Sequence, residues 1–142
     1  KKLMSTFSID EALRHRCKVM ERVQQIKDDL SEKSRKRVYK HVYILDLKGL
    51  GVKHLKKKNR GPMKALLDLG QHHFPETLDR MFLLCTPALF RGLWKIMSVW
   101  VDPVTKAKIQ LLPKKYLPRI EAAGMPRSQL PDWMGGSHPN IA

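Results

Sequence analysis

The chain has 142 residues, 42% hydrophobic and 29% charged, with 28 Lys and Arg against 13 Asp and Glu for a net charge of +15. That length suits one domain over residues 1–142 with a core of its own. The longest apolar runs, such as Met81 to Cys85, are too short to cross a bilayer. Lys1 and Lys2 lead into no sustained apolar segment of the signal-peptide kind. Because the chain does not begin with Met, it is expected to be an N-terminally truncated piece of a longer protein. Cys17 and Cys85 are far apart and form no CxxC pair, so both are expected to be reduced core residues in a cytosolic protein.

The basic residues are clustered. From Lys33 to Arg60 there are eleven Lys and Arg against one acid, Asp46. Such a surface suits nucleic acid, anionic lipid headgroups, or solvent alone. Charge by itself does not choose among them.

Ser8 and Glu11 have the spacing of a capping box, and a helical pattern follows. Ile9, Leu13, Cys17, Met20 and Val23 share one face, with Arg16 and Lys27 intruding on it as cations expected to snorkel. The helix is expected to stop near Leu30, where the chain turns polar and basic. Val38 to Leu47 follows as a β-branched and aromatic strand, its run Val42 to Leu45 suggesting cover on both faces. Gly49 and Gly51 end it. Gly61-Pro62 opens a second helix after a basic loop, with Met63, Leu66, Leu67 and Gly70 on its inner side. A short turn of helix at Phe74 to Thr77 leads to a second buried strand, Met81 to Cys85, stopped by Thr86-Pro87.

The next segment, Leu89 to Val101, is too greasy for a surface helix. Its apolar residues cover well over half of a helical wheel, whereas a surface helix needs a stripe of about 100° or somewhat more. It is therefore either sandwiched in a core or a lid with one face on a cavity. Asp102-Pro103 breaks it, Lys108 to Leu112 forms a third strand, and short helices near Lys115–Ala122 and Arg127–Leu130 precede Gly135-Gly136. Strands alternating with helices predict an α/β fold with a mainly parallel sheet.

Catalytic motifs are missing. Gly49-Leu50-Gly51 lacks the third glycine of a phosphate loop, since position 54 is His54. His72 and His73 are adjacent and diverge on a helix, which does not suit a metal. No GxSxG elbow, P-loop or carboxylate couple stands out. No enzyme activity, cofactor or metal is expected.

Taken in order, the motifs resemble the CRAL-TRIO family, in particular its phosphatidylinositol/phosphatidylcholine transfer branch. Ile44 to Gly49 looks like the family's strand ending in aspartate and glycine. Phe74-Pro75-Glu76 resembles its YPE turn, and Thr86 to Phe90 its NAP-x-x-F entry to a gate helix. Asp102 to Thr105 with Lys108-Ile109 is similar to the segment after that helix. Leu130-Pro131 followed by Gly135-Gly136 is similar to the family's LP…GG close. Met20-Glu21 sits where the family often has an aromatic-Glu pair.

The resemblance implies a sheet floor, flanking helices, and a gate helix over an apolar pocket. It implies that Glu76, Thr105 and Lys108 hold a phosphatidylinositol headgroup, and that Phe90, Leu93, Trp94, Met97 and Trp100 serve gate and acyl pocket. His41 and Tyr43 replace the small hydroxyl residues of members that also carry phosphatidylcholine, which puts that second lipid in question. The resemblance also places the family's first helical segment and first strand upstream of this chain. Lys53, Lys56, Lys57, Lys58 and Arg60 are expected on a loop that contacts anionic membranes, making the protein cytoplasmic and peripherally membrane-associated. The rivals are a carrier of a retinoid, tocopherol or sterol-like ligand, and a basic module for nucleic acid or acidic proteins. The latter is disfavoured because, apart from Tyr39 and Tyr43, no aromatics interleave the Lys and Arg.

Overall fold

The structure, a computed structural model, describes residues 8–50, 60–73 and 76–138. Helix α1 spans Ile9–Ser34. Its capping box forms as the spacing predicts: the Ser8 hydroxyl accepts from the Glu11 N–H (3.2 Å), and the Glu11 carboxylate accepts from the Ser8 N–H (2.7 Å). The helix continues a full turn beyond Leu30. Ser31 and Ser34 donate back to the Lys27 and Leu30 carbonyls, and Arg35 closes the end at φ 52°. Polarity marks the last turn as solvent-facing, not as unwound.

Strand β1 (His41–Asp46), helix α2 (Arg60–His73) and strand β2 (Leu78–Leu84) come next. Helix α3 (Ala88–Met97) runs into a single 3-10 turn, Ser98–Trp100. Helix α4 (Pro103–Ala107) and strand β3 (Ile109–Leu111) complete the sheet region. Helix α5 (Leu117–Ala122) and 3-10 turns at Arg127–Gln129 and Asp132–Met134 close the chain. The three strands form one parallel sheet in the order β1-β2-β3, as expected of an α/β fold. Ile44 pairs with Phe82, and Leu83 with Leu111, so the strands holding Ile44, Leu83 and Ile109 are neighbours.

Period-two alternation divides the core. Phe82 and Leu84 point to one face and bury against Leu112, Ile120, Leu130 and Met134, with Val42 and Ile44 packed beside them. Leu83 and Ile109 serve the other face, against Phe90, Leu93, Met97 and Val101. Strand β1 is only half-buried at best, with Leu45 exposed. With no residue of the strand fully buried, the expected cover on both faces is not found.

Three turns show why particular residues stand where they do. The Asp46 carboxylate accepts from the Lys48 N–H (2.8 Å), and Gly49 adopts φ 84°, which only glycine reaches without steric cost. Gly135 closes the last 3-10 turn at φ 82°. Cys85, between β2 and α3, sits at φ 52° despite its side chain. A left-handed conformation costs an ordinary L residue about 1–2 kcal/mol, and Asn bears it more readily. Burial and the Asp46 carboxylate push the Cys85 thiol up, so it is a poor nucleophile. Cys85→Asn should therefore stabilise the fold by about 0.5–1 kcal/mol, read as a higher urea midpoint at unchanged slope. A lower midpoint would show that the thiol's packing matters more than the backbone strain.

Candidate functional site

A cavity of about 740 Å³ opens on the face of the sheet that carries α3. Its floor follows from strand alternation: His41 and Tyr43 of β1, Met81 of β2 and Ile109 of β3 all line it. Arg16 and Met20 of α1, and Leu67, Asp68 and Gly70 of α2, form one wall. The opposite wall runs from Val99 to Thr105 and includes Lys108. The volume falls within the range of about 300–1,000 Å³ usual for small-molecule pockets.

Glu76, Thr105 and Lys108 all line this one cavity, although 31 residues of sequence lie between the first and the last. Glu76 stands in the turn before β2 at φ 58° and is exposed. Thr105 belongs to α4, and Lys108 caps that helix at its C-terminal end. The Lys108 backbone is fixed on both sides, its N–H donating to the Thr105 carbonyl (3.1 Å) and its own carbonyl accepting from the Met81 N–H (2.9 Å). Its side chain has no carboxylate within ion-pair distance among the described residues, Glu76 included.

Asp102 is the residue that sequence reasoning missed. It caps α4, its carboxylate accepting from the Thr105 N–H (2.8 Å). The Thr105 hydroxyl and then that same N–H hold the Asp102 carboxyl below its ordinary range, with Lys108 adding to the effect. The Thr105 hydroxyl is thus engaged with Asp102, and its oxygen is left mainly to accept. The signal was present in the sequence: Asp followed by Pro at the first helical position is a helix start. Five residues of helix were too few for a periodic pattern to reveal.

The greasy helix divides its residues. Phe90, Leu93 and Met97 are buried against Leu83 and Ile109, on the sheet and not on the cavity. Trp94 packs at the edge of that cluster and is half-buried, as is Trp100, which lines the cavity together with Val99. Leu89 and Ile96, seven residues apart and so on one side of α3, are 52% and 49% exposed, and Val99 is 75% exposed. The helix is therefore not sandwiched in a core. One face is buried and another apolar face meets solvent.

Two expectations for α1 need correction. Lys27 does not snorkel: it is buried, and its Nζ donates to the Tyr39 carbonyl (2.9 Å), tying α1 to the approach to β1. Burial lowers its pKa, with Asp28 opposing. Arg16 lies over the Tyr43 ring, 4.6 Å from its centroid, at the cavity wall. Lys53, Lys56, Lys57 and Lys58 lie outside the described residues, and Arg60 is the first residue of α2. No helix among the described residues is long and apolar enough to cross a membrane.

Comparison with known proteins adds a consistent set of likenesses. A family model described as CRAL/TRIO domain matches residues 2–136. Phosphatidylinositol/phosphatidylcholine transfer protein SFH7 of Arabidopsis thaliana is 32% identical over 136 residues, covering 95% of this chain and 25% of the relative. Phosphatidylinositol/phosphatidylcholine transfer protein SFH4 of the same plant is 34% identical over 141 residues, covering 96% of this chain and 22% of the relative. This chain thus spans about a quarter of the length of these relatives. The crystal structure of Sfh5 superposes with a TM-score of 0.67 over 79% of this chain and 39% of that one, at 22% identity, and speaks to the fold alone.

Proposed function

The chain belongs to the CRAL/TRIO domain family, and from that premise we propose that its cavity binds one membrane lipid, phosphatidylinositol, for transfer or presentation. The observation that carries the reading is the meeting of Glu76, Thr105 and Lys108 on the wall of a cavity otherwise rich in apolar side chains. Lys108, without a carboxylate partner among the described residues, supplies a cation for the phosphodiester. Glu76 accepts from inositol hydroxyls, and Thr105 is held beside them by Asp102. The relatives' names point to the same lipid class.

Acyl chains set the affinity in this reading. Each buried CH₂ contributes about 0.8 kcal/mol, so even partial burial outweighs a few headgroup bonds. The exposed apolar side of α3 and of the 3-10 turn after it, with Leu89, Ile96 and Val99, supplies an edge that enters the headgroup region of a bilayer. The net charge of +15 draws the protein to anionic surfaces, with Lys53, Lys56, Lys57, Lys58 and Arg60 proposed as the contact.

The test is extraction of the purified protein and identification of bound lipid by mass spectrometry, followed by loading from vesicles containing phosphatidylinositol. Phosphatidylinositol recovered at near-equimolar amounts is the expected result. Recovery of a neutral isoprenoid or sterol, with no uptake of phosphatidylinositol, would overturn the assignment and favour the rival carrier.

A further inference from the structure

We propose that the packing of α1 on β1 is a proton-sensitive closure: a proton on His41 loosens α1 from the sheet and opens the cavity wall that α1 supplies. That an opened wall releases lipid rests on the function proposed above; the loosening itself does not.

The contact has two fixed points. The Lys27 Nζ donates to the Tyr39 carbonyl (2.9 Å), and the Arg16 guanidinium lies over the Tyr43 ring, 4.6 Å from its centroid. Helix and strand therefore run in opposite senses. His41 stands midway between Tyr39 and Tyr43, and Met20 and Val23 stand midway between Arg16 and Lys27. Met20 is buried, and with Arg16, His41 and Tyr43 it lines the cavity. The histidine thus lies where the helical wall meets the floor.

This packing suits the neutral imidazole alone. The His41 Nδ1 is buried out of reach of solvent and has no hydrogen-bond partner. A charged imidazole must donate from both nitrogens, and a buried donor left unpaired costs the full desolvation of that group. Burial first, then Lys27 and Arg16, hold His41 below its ordinary pKa, so both charges that act on it are positive. The nearby acids are engaged elsewhere. Asp28 acts on Lys27, Asp68 pairs with Lys64 on α2 (2.5 Å), Asp79 pairs with Arg80 at the start of β2 (2.9 Å), and Glu76 is exposed in its turn. A third positive charge between the two fixed points therefore repels both.

The helix is the part that yields. The His41 N–H donates to the Thr77 carbonyl (2.9 Å), which holds the strand against β2. The Ser31 hydroxyl accepts from the Val38 N–H (2.8 Å), which ties the C-terminal end of α1. The end bearing Arg16 and Met20 is left to swing outward, giving the ring water and separating the charges. Because the folded midpoint lies below the unfolded one, the closure is held above about pH 6.5 and weakens as pH falls from there to the folded midpoint. An anionic membrane concentrates protons at its surface roughly three- to sevenfold, so the surface that exchanges lipid also supplies the trigger.

Hydrogen exchange of the lipid-free protein, corrected for the intrinsic effect of pH, is compared at about pH 7.5 and about pH 5.5. On acidification α1 should lose protection several-fold more than α3, and His41→Gln should abolish the difference. Arg16→Met, which removes one opposing cation, should shrink the acid effect, whereas Arg16→Lys should keep it; this pair decides the matter even where position 41 tolerates no substitution. Transfer of fluorescent phosphatidylinositol between phosphatidylcholine vesicles, with and without phosphatidylserine, is then followed. Its rate should rise several-fold at the lower pH or with phosphatidylserine, and should stay flat in His41→Gln. Equal loss of protection in α1 and α3, or an acid effect that Arg16→Met and His41→Gln leave unchanged, overturns the closure. Loosening of α1 with no change in transfer rate overturns its role in release. A protein that takes up no phosphatidylinositol at either pH, while α1 still loosens, fails the proposed function and leaves the closure standing.

Discussion

Replacing Lys108 with alanine should lower phosphatidylinositol loading by roughly tenfold to a hundredfold while leaving the fold intact. A charge-assisted hydrogen bond lost from a site costs about 1.5–3 kcal/mol, which converts to that range of affinity. The fold is protected because the structural bonds of Lys108 come from its backbone, whose N–H and carbonyl bond Thr105 and Met81 whatever side chain is present. The side chain, without a carboxylate partner among the described residues, is the part the substitution removes. Loading from vesicles, read against an unrelated bound lipid as control, decides the matter. A selective loss of phosphatidylinositol assigns the cation to the phosphodiester. An equal loss of every lipid would mean structural damage, and no loss would mean that the headgroup lies elsewhere in the cavity.

The second large effect concerns the C-terminal close. Gly136→Ala should destabilise the protein by about 3 kcal/mol, since forcing a methyl group into a packed site costs up to that much or more. At Gly136 an added Cβ would run into the backbone carbonyl and Cβ of Leu130. Neither partner has room to move. Leu130 is 1% exposed in the core, its carbonyl accepts from the His138 N–H (2.9 Å), and the Gly136 N–H donates to the Pro131 carbonyl (3.0 Å). The control is Gly135→Ala. There the added carbon meets the tip of the Leu117 side chain, which can rotate away, and the cost is mainly the left-handed backbone at about 1–2 kcal/mol. Thermal unfolding should therefore rank Gly136→Ala below Gly135→Ala, which in turn lies below the unmodified protein. The reverse order would show that this loop yields more easily than its bonds suggest.

Much of this architecture was legible because it depends on neighbours in sequence. The capping box of Ser8 and Glu11 needs only a spacing of three, and the strands around Ile44, Leu83 and Ile109 need only short apolar runs between breakers. The width of the apolar stripe on α3 likewise exposed a helix with more greasy surface than one packing face requires. What stayed hidden was local but too short, or long-range. Helix α4 has five residues, below the length at which periodicity speaks, although Asp102-Pro103 carried its start signal. The extra turn of α1 past Leu30 was masked by polarity, because solvent-facing helix and coil share a composition.

The amino-acid sequence by itself determined the strand and helix order, the parallel pairing of strands joined by helical crossovers, the basic surface and the family likeness. Tertiary structure alone decided where charged residues of distant segments meet. Lys27 and Arg16 share a helical face with apolar residues, and nothing in that periodicity says that one reaches the Tyr39 carbonyl and the other a tyrosine ring on β1. Nor does spacing reveal that Phe90 and Met97 turn to the sheet while Trp100 turns to the cavity. Periodicity fixes which residues share a face, but the partner of that face is set by the packing of elements remote in the chain.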